Sequence, residues 1–235
     1  MTDGRFPAVW DANYARIDVP TSDLNGAEVE RELIPALERA GSDTFHAVIF
    51  HPESMTRVLT DLSTRGYRLD WDVVMELRTN PEDQPHEVRV EGLNDGPDLW
   101  EMVHASLNLF GTATSSPGAV EQLQRIEREV FGPGGKRWFV ARGHDGRVAS
   151  LAALLVLDGV AYLDNVATFP ESRGKGFASA VTAHITRLAL AEGASVVSLL
   201  ADPDSHEVVR LYRRLGFREA GRLASLRGRW ATTAG

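Results

Sequence analysis

The feature that most constrains the fold is the segment 173–178, Arg-Gly-Lys-Gly-Phe-Ala, which leads directly into an amphipathic pattern. Apolar Val181, Ile185 and Leu188 follow at three- and four-residue spacing, which predicts a helix with one buried face. Residues 161–168, before the segment, are predicted to form a strand. The glycines therefore belong to a turn from strand to helix, which is typical of a mixed α/β fold.

This turn has the properties of an anion-binding loop. The N–H groups of a first helical turn have no intrahelical partner and carry partial positive charge. Gly174 and Gly176 allow a bulky anion to approach the backbone, and Arg173 and Lys175 add positive charge. The segment predicts a pyrophosphate site, and a glycine-rich turn without a ligand is the alternative.

Two common phosphate-binding loops do not fit the spacing. A dinucleotide-binding loop requires G-x-G-x-x-G, and Ser179 occupies the place of the third glycine. A nucleoside triphosphate loop ends in Gly-Lys-Ser/Thr, whereas Gly176 is followed by Phe177. The preceding strands are also predicted to be joined by hairpin turns rather than by a helix.

The segment 168–178, Thr-Phe-Pro-Glu-Ser-Arg-Gly-Lys-Gly-Phe-Ala, resembles motif A of the GCN5-related N-acetyltransferase (GNAT) superfamily, whose core reads R/Q-x-x-G-x-G/A. Residues 211–217, Leu-Tyr-Arg-Arg-Leu-Gly-Phe, resemble the end of motif B, L-Y-x-x-L-G-F. The motifs come in the family's order, separated by one helix and one strand. The resemblance covers about residues 86–230 and implies an α/β (α+β) fold, with a mixed, mostly antiparallel central sheet flanked by helices.

The resemblance implies acetyl-CoA as acyl donor and no metal. The implied contacts lie at the end of the strand, in the glycine loop and before the next helix: Val166, Thr168, Arg173, Gly174, Lys175, Gly176, Phe177, Ala178 and Ser205. The backbone of Val166 and Thr168 would pair with the pantetheine arm, where this strand splays from the strand at 195–201. Ser205 stands where motif B often has Asn, and we expect it to cap the helix.

The resemblance also implies catalytic residues. Tyr212 matches the tyrosine that often donates a proton to the departing thiolate, for which it must lie within hydrogen-bond reach of the sulfur. Asp164 is the first candidate for the base, and Tyr162, His206 and Glu207 are further options. In the alternatives, Tyr212 only packs and Asp164 only binds a neighbouring backbone group.

The implied function is transfer of an acetyl group to a small-molecule or peptide amine, by direct attack in a ternary complex. The main alternative is a non-catalytic acyl-CoA-binding or interaction module with the same fold. The residues do not name the acceptor, and they leave open whether the acyl group is acetyl or longer.

The domain organisation is predicted from a polar, two-proline segment at 79–85. It separates an N-terminal α/β region, residues 1–80, from an acetyltransferase-like domain, residues 86–235. The first region repeats the strand-helix-strand order of 195–230, which indicates either a degenerate half-copy or a common arrangement met twice. Residues 1–27 are expected to run over a surface, with two docked aromatic side chains, Trp10 and Tyr14.

The elements predicted before the glycine loop follow from periodicity and turn residues. In the first region they are a helix at 28–40, a strand at 45–50, a helix from 53 and a strand at 67–77. In the second they are a strand at 87–91, helices at 97–109 and 117–130, and strands at 137–142, 148–157 and 161–168. Residues 111–117 are small and polar and are expected to be mobile.

Composition narrows the remaining classes. The absence of cysteine excludes disulfides, thiolate metal sites and a cysteine nucleophile. His104, His144 and His184 are too scattered to suggest metal ligands. A net charge of −8 without a basic run argues against nucleic acid as the main partner. The longest apolar stretch, 148–156, is too short to span a membrane, and the N-terminus lacks signal-peptide features, so a cytoplasmic location is expected. A homodimer paired through the last strands is compatible with the pattern.

Overall fold

The computed structural model describes residues 1–18, 23–42, 44–81, 88–110 and 118–229. Within these ranges the α-helices are α1 (Gly26–Arg39), α2 (Thr56–Thr64), α3 (Pro97–Phe110), α4 (Ala119–Ile126), α5 (Phe177–Ala191) and α6 (His206–Arg214). The β-strands are β1 (Ala15–Ile17), β2 (Phe45–Ile49), β3 (Arg68–Leu77), β4 (Val90–Leu93), β5 (Arg137–Arg142), β6 (Val148–Leu157), β7 (Val160–Thr168), β8 (Val196–Ala201) and β9 (Phe217–Gly228).

The chain forms two compact units. Of the described residues, the first unit contains positions 1–73, 118–123 and 221–229, and the second contains 74–110 and 124–220. The predicted boundary between domains 1–80 and 86–235 stays a prediction.

In the first unit, β2 pairs in parallel with β1 and antiparallel with β9. Helix α1 buries Val29, Leu33 and Leu37, which lie four residues apart, in a core shared with α2 and β2. The helix begins two residues before the predicted start because Asn25 and Glu28 form a capping box. The Asn25 side chain accepts from the Glu28 N–H, and the Glu28 carboxylate accepts from the Asn25 N–H, each at 3.1 Å.

The N-terminal segment is more buried than predicted. Phe6 is fully buried and Val9 is 1% exposed, so the expectation that this segment runs over a surface is wrong for these two residues, whereas the rings of Trp10 and Tyr14 do pack against His46. The cause is Asn13, whose side-chain amide donates to the carbonyl oxygens of Phe6 and Val9, at 2.8 and 3.1 Å, and folds the segment inward. The half-buried ring of Trp10 lies beside the buried His46.

In the second unit, β4, β5, β6 and β7 are antiparallel neighbours in that order, and β8 pairs in parallel with β7. Helix α5 packs on β5, β6 and β7. The prediction of a mixed, mostly antiparallel sheet flanked by helices is confirmed. A separate core joins Leu99 and Val103 of α3 to Trp138 and Leu151 of the sheet.

Other predicted element boundaries are also wrong. The helix expected from 53 begins at Thr56, because Pro52–Ser54 forms a separate 3₁₀ turn. The strand expected at 87–91 lies at Val90–Leu93, because its pairing with β5 runs from Val90 opposite Ala141 to Leu93 opposite Trp138. The helix expected at 117–130 changes at Ile126 into a π-helical turn, Glu127–Phe131, in which the Gly132 N–H donates to the Glu127 carbonyl at 2.8 Å.

Some expectations fall on residues that are not described. The segment 111–117, expected to be mobile, lies outside the described residues. No helix within the described ranges is both long and apolar enough to cross a membrane.

Candidate active site

The site is built where two parallel strands separate. Strands β7 and β8 are paired from Val160 opposite Val196 to Leu163 opposite Leu199, and β7 then continues unpaired on that side to Thr168. On its other side β7 stays paired with β6 through a bulge, next to which Asn165 has a φ of +50°. The backbone of β7 beyond Leu163 therefore faces a gap on the β8 side.

The glycine loop adjoins this gap. Gly174 and Gly176 have φ values of +74° and +85°, in the left-handed region that favours glycine. A Cβ atom added to either would meet no atom of the described part of the chain within 4 Å, so both face open space there. The first intrahelical bond of α5 runs from the Ala180 N–H to the Gly176 carbonyl at 3.0 Å, and no side chain of the described residues caps the helix. The N–H groups of 177–179 are thus available to an anion.

A cleft of about 880 Å³ connects the loop to α6. Most of the predicted cofactor contacts line it, namely Val166, Thr168, Arg173, Gly174, Gly176, Phe177, Ala178 and Ser205. Lys175 is not part of the lining, and its ammonium donates to the Glu171 carbonyl at 2.9 Å. The volume lies within the range of small-molecule and cofactor sites.

Tyr212 lies in the wall of the same cleft and is only 5% exposed. Its ring packs edge-on against Phe217, with ring centroids 6.1 Å apart. Burial raises the pKa of the Tyr212 phenol to about 12, and the negative charge of Asp164 acts in the same direction. The phenol is therefore protonated at neutral pH and can serve as a proton donor.

The predicted cap of α6 by Ser205 is wrong. Ser205 occupies the N-cap position, but its hydroxyl donates to the Asp202 carboxylate at 3.0 Å and makes no cap hydrogen bond. The hydroxyl thus donates in a charge-assisted hydrogen bond to the preceding loop instead of accepting from an N–H group of the first turn of α6. Ser205 still lines the cleft.

Asp164 does not line the cleft, and its carboxylate is held by an ion pair. The Lys136 ammonium donates to Asp164 Oδ2 at 2.6 Å and to Glu127 Oε1 at 2.7 Å. The second Asp164 oxygen, Oδ1, accepts from the Asn165 N–H at 2.8 Å. The lysine side chain is 3% exposed, that of Glu127 9%, and that of Asp164 30%. We name Glu127, Lys136 and Asp164 the acid-lysine network.

The charges of the acid-lysine network depend on one another. Burial opposes the charged form of Lys136, but the two carboxylates outweigh it and raise the pKa of the ammonium. Burial raises the pKa of Glu127 against the opposing effect of Lys136. Lys136 therefore stays charged, and the network joins a buried cation to two acids.

The site also contains residues that were not predicted from the sequence. Arg210 and Arg214 line the cleft from one face of α6, and their spacing of four residues could have indicated this. Of the further options for the base, Glu207 lines the cleft, whereas His206 and Tyr162 are not in its lining. No spacing in the sequence brings Lys136 to Glu127 and Asp164. Within the described ranges, no group of three or more His, Cys, Asp or Glu side chains could hold a metal ion.

Comparison with known proteins agrees with this geometry. The model of the acetyltransferase (GNAT) family matches residues 100–217. No curated protein matches the sequence significantly.

Solved structures with the same fold cover most of the chain. A functionally unknown conserved protein from Staphylococcus epidermidis is 12% identical with a TM-score of 0.78, over 97% of this chain and 89% of the other. A GCN5-related N-acetyltransferase from Kribbella flavida is 20% identical with a TM-score of 0.59, over 90% and 79% of the two chains. One from Sphaerobacter thermophilus is 21% identical with a TM-score of 0.59, over 88% and 70%. At these identities the structures show the fold alone.

Proposed function

The chain belongs to the acetyltransferase (GNAT) family, and from that premise we propose that it transfers an acetyl group from acetyl-CoA to an amine. The observation that carries the proposal is one cleft that combines the open glycine loop with the protonated phenol of Tyr212. The acceptor class is a small-molecule or peptide amine. A protein that only bound acyl-CoA would need the loop but not the phenol.

The donor would bind along the cleft through groups that are already in place. The free N–H groups of 177–179 and the charge of Arg173 suit a pyrophosphate. The unpaired backbone of β7 at Val166 and Thr168 suits the amide groups of the pantetheine arm. Lys175 would add charge from the outer side of the loop. Ser205 would contact the donor from the start of α6.

The bound thioester supplies the acyl group, and the chain's own residues manage the protons. The amine nitrogen forms a bond to the acetyl carbon as the carbon-sulfur bond breaks. We assign Asp164 to take a proton from the amine and Tyr212 to give one to the thiolate, after which water returns the proton from acid to phenolate. A backbone N–H near Val166 would hold the oxyanion. The Asp164 carboxylate accepts from the Lys136 ammonium and the Asn165 N–H, and the Asn165 side-chain amide lies 3.0 Å from its Oδ1, so these groups fix the orientation of the proposed base.

Calorimetric titration with acetyl-CoA tests the donor site, using Gly176→Trp and a matched control, Gly193→Trp. Both glycines have similar left-handed φ values, +85° and +88°, and neither has an atom within 4 Å of an added Cβ. The backbone strain of the two substitutions is therefore alike, but only Gly176 lines the cleft. We expect binding by the parent and the Gly193 variant and none by the Gly176 variant.

Thiol release then tests catalysis. A polyamine, an aminoglycoside and a lysine-containing peptide serve as trial acceptors, with thiol detection by a chromogenic disulfide. Thiol release that depends on the amine supports the proposal. Donor binding without thiol release for any amine would favour a non-catalytic module, and a folded parent that binds no acetyl-CoA would reject the donor site.

A further inference from the structure

Lys136 is held in a site built by local structure. The π-helical turn Glu127–Phe131 and the glycine-rich turn after it return the chain to Glu127, with the Lys136 N–H donating to the Phe131 carbonyl at 2.9 Å. The lysine ammonium also lies over two aromatic rings, 5.1 Å from the Phe131 centroid and 5.3 Å from that of Trp138. Glu127 and two aromatic rings therefore hold the ammonium in addition to Asp164.

Stability alone does not account for this arrangement. A buried ion pair loses hydration on both partners, and apolar side chains of similar size often stabilise a fold as well or better. The charge is also placed beside the reaction gap. Asp164 is the first residue of β7 after its pairing with β8 ends at Leu163, and it precedes the cleft residue Val166 by two positions.

We propose that Lys136 is a positioning residue for acyl transfer. Its ammonium, anchored by Glu127, fixes the Asp164 carboxylate beside the gap between β7 and β8, in the orientation in which it takes the proton from the amine. The inference rests on the proposed function and goes beyond it, because Lys136 itself does not line the cleft. Lys136 is not among the residues proposed to contact acetyl-CoA.

A substitution that tests Lys136 must take account of the other charged groups around Asp164. Lys136 and Glu127 face it from the turn before β5, and Tyr212 senses its charge from α6. Lys136→Met removes the cation and leaves two carboxylates facing each other. Glu127→Met combined with Lys136→Met removes one charge of each sign with side chains of similar length, so the remaining Asp164 lies only at the partly exposed end.

The experiment compares the two variants with the parent by thermal melting, acetyl-CoA titration and amine-dependent thiol release. We expect a lower melting temperature for Lys136→Met, because unpaired acids stay buried, and recovery of the melting temperature in the double variant. In both, kcat should fall by about 100-fold, the usual effect of a misplaced catalytic group. The KM for acetyl-CoA should not change.

A substitution of Lys175 should change KM for acetyl-CoA, whereas a substitution of Lys136 should change kcat. The chain has only two lysines, Lys136 and Lys175, and the second lies in the glycine loop. Lys175→Met should raise the KM for acetyl-CoA, since it removes charge near the pyrophosphate site and leaves the acid-lysine network intact. The two lysine variants together separate positioning of the base from donor binding.

Each outcome decides between the two proposals. A double variant that is folded and keeps the parental kcat would show that Lys136 is only structural. A Lys136 variant whose KM rises while its kcat is kept would also refute the inference. If the parent itself releases no thiol with any amine, the proposed function fails first, before any substitution, and the inference fails with it.

Discussion

Replacing Tyr212 by Phe removes one oxygen atom from the cleft and little else. No partner for the phenol hydroxyl is found among the described residues, and the edge-on packing on Phe217 needs only the ring. We therefore expect the free energy of unfolding at pH 7 to change by less than about 1 kcal/mol. If Tyr212 is the general acid, kcat for amine-dependent thiol release should fall by about 10²- to 10⁴-fold.

The stability of Tyr212→Phe at alkaline pH gives a second quantitative prediction. The pKa of Tyr212 is raised from about 10 in the unfolded chain to about 12 in the fold. This stabilisation is fully present below pH 10 and is lost as the pH rises through 12, because only the unfolded phenol ionises in that interval. The parent should lose about 3 kcal/mol more stability than Tyr212→Phe over this range, which urea denaturation at several pH values would measure.

Tyr67→Phe is the matched control. The Tyr67 hydroxyl donates to the Glu30 carboxylate at 2.9 Å, while its ring stacks on Phe45 with centroids 4.1 Å apart. Loss of a hydrogen bond to a charged group should cost about 2 kcal/mol of stability and leave kcat unchanged. The two variants should thus show opposite effects. A Tyr212→Phe enzyme with parental kcat would refute its assignment as the acid, since the substitution removes the hydroxyl and keeps the ring packing on Phe217.

Three other positions test separate parts of the structure. Burial lowers the pKa of His46 from 6.5 to about 4, so its contribution is present above pH 6.5 and lost as the pH falls through 4; urea denaturation should show about 3 kcal/mol of acid destabilisation that is absent in His46→Gln. Gly216 has a φ of +94° and an added Cβ would fall on a neighbouring carbonyl oxygen, so Gly216→Ala should lower the melting temperature whereas Gly221→Ala, with open space around it, should do so far less. An amine-reactive label, located by peptide mass, should modify Lys175 in the folded protein and reach Lys136, which is 3% exposed, only after denaturation; acetyl-CoA should slow the labelling of Lys175, and early labelling of Lys136 would contradict the buried network.

The fold could be predicted where the signal is local. The strands at 137–142 and 148–157 lie where alternation and the Asp-Gly turn place them, because both signals act within a few residues. The predicted start of α1 is two residues late, although the Asn25 to Glu28 spacing of a capping box can be recognised in the sequence. The π-helical turn Glu127–Phe131 could not be predicted, since the apolar period of α4 continues into it.

The glycine loop was predictable for the same reason. The residues that make it an anion site are consecutive, and the left-handed φ values of Gly174 and Gly176 are the conformations that such a turn requires. The burial of Phe6, in contrast, depends on the Asn13 side chain seven residues away, for which no periodic pattern exists. Composition alone predicts a surface segment here, because it counts polar residues without showing which groups they bind.

The acid-lysine network could not be predicted from the sequence, because one of the two contacts of Lys136 is local and the other joins residues that are distant in the chain. Lys136 meets Glu127 across nine residues of local turn, but it meets Asp164 across 28 residues and three strands. An ammonium is a compact charge with three donors, which suits two carboxylates at 2.6 and 2.7 Å better than the planar fork of arginine. The chain has only one other lysine, Lys175, beside its many arginines, so the buried lysine at position 136 reflects this geometric requirement. The reason for a lysine at this position can be recognised only in the folded structure, where the two acids lie close together.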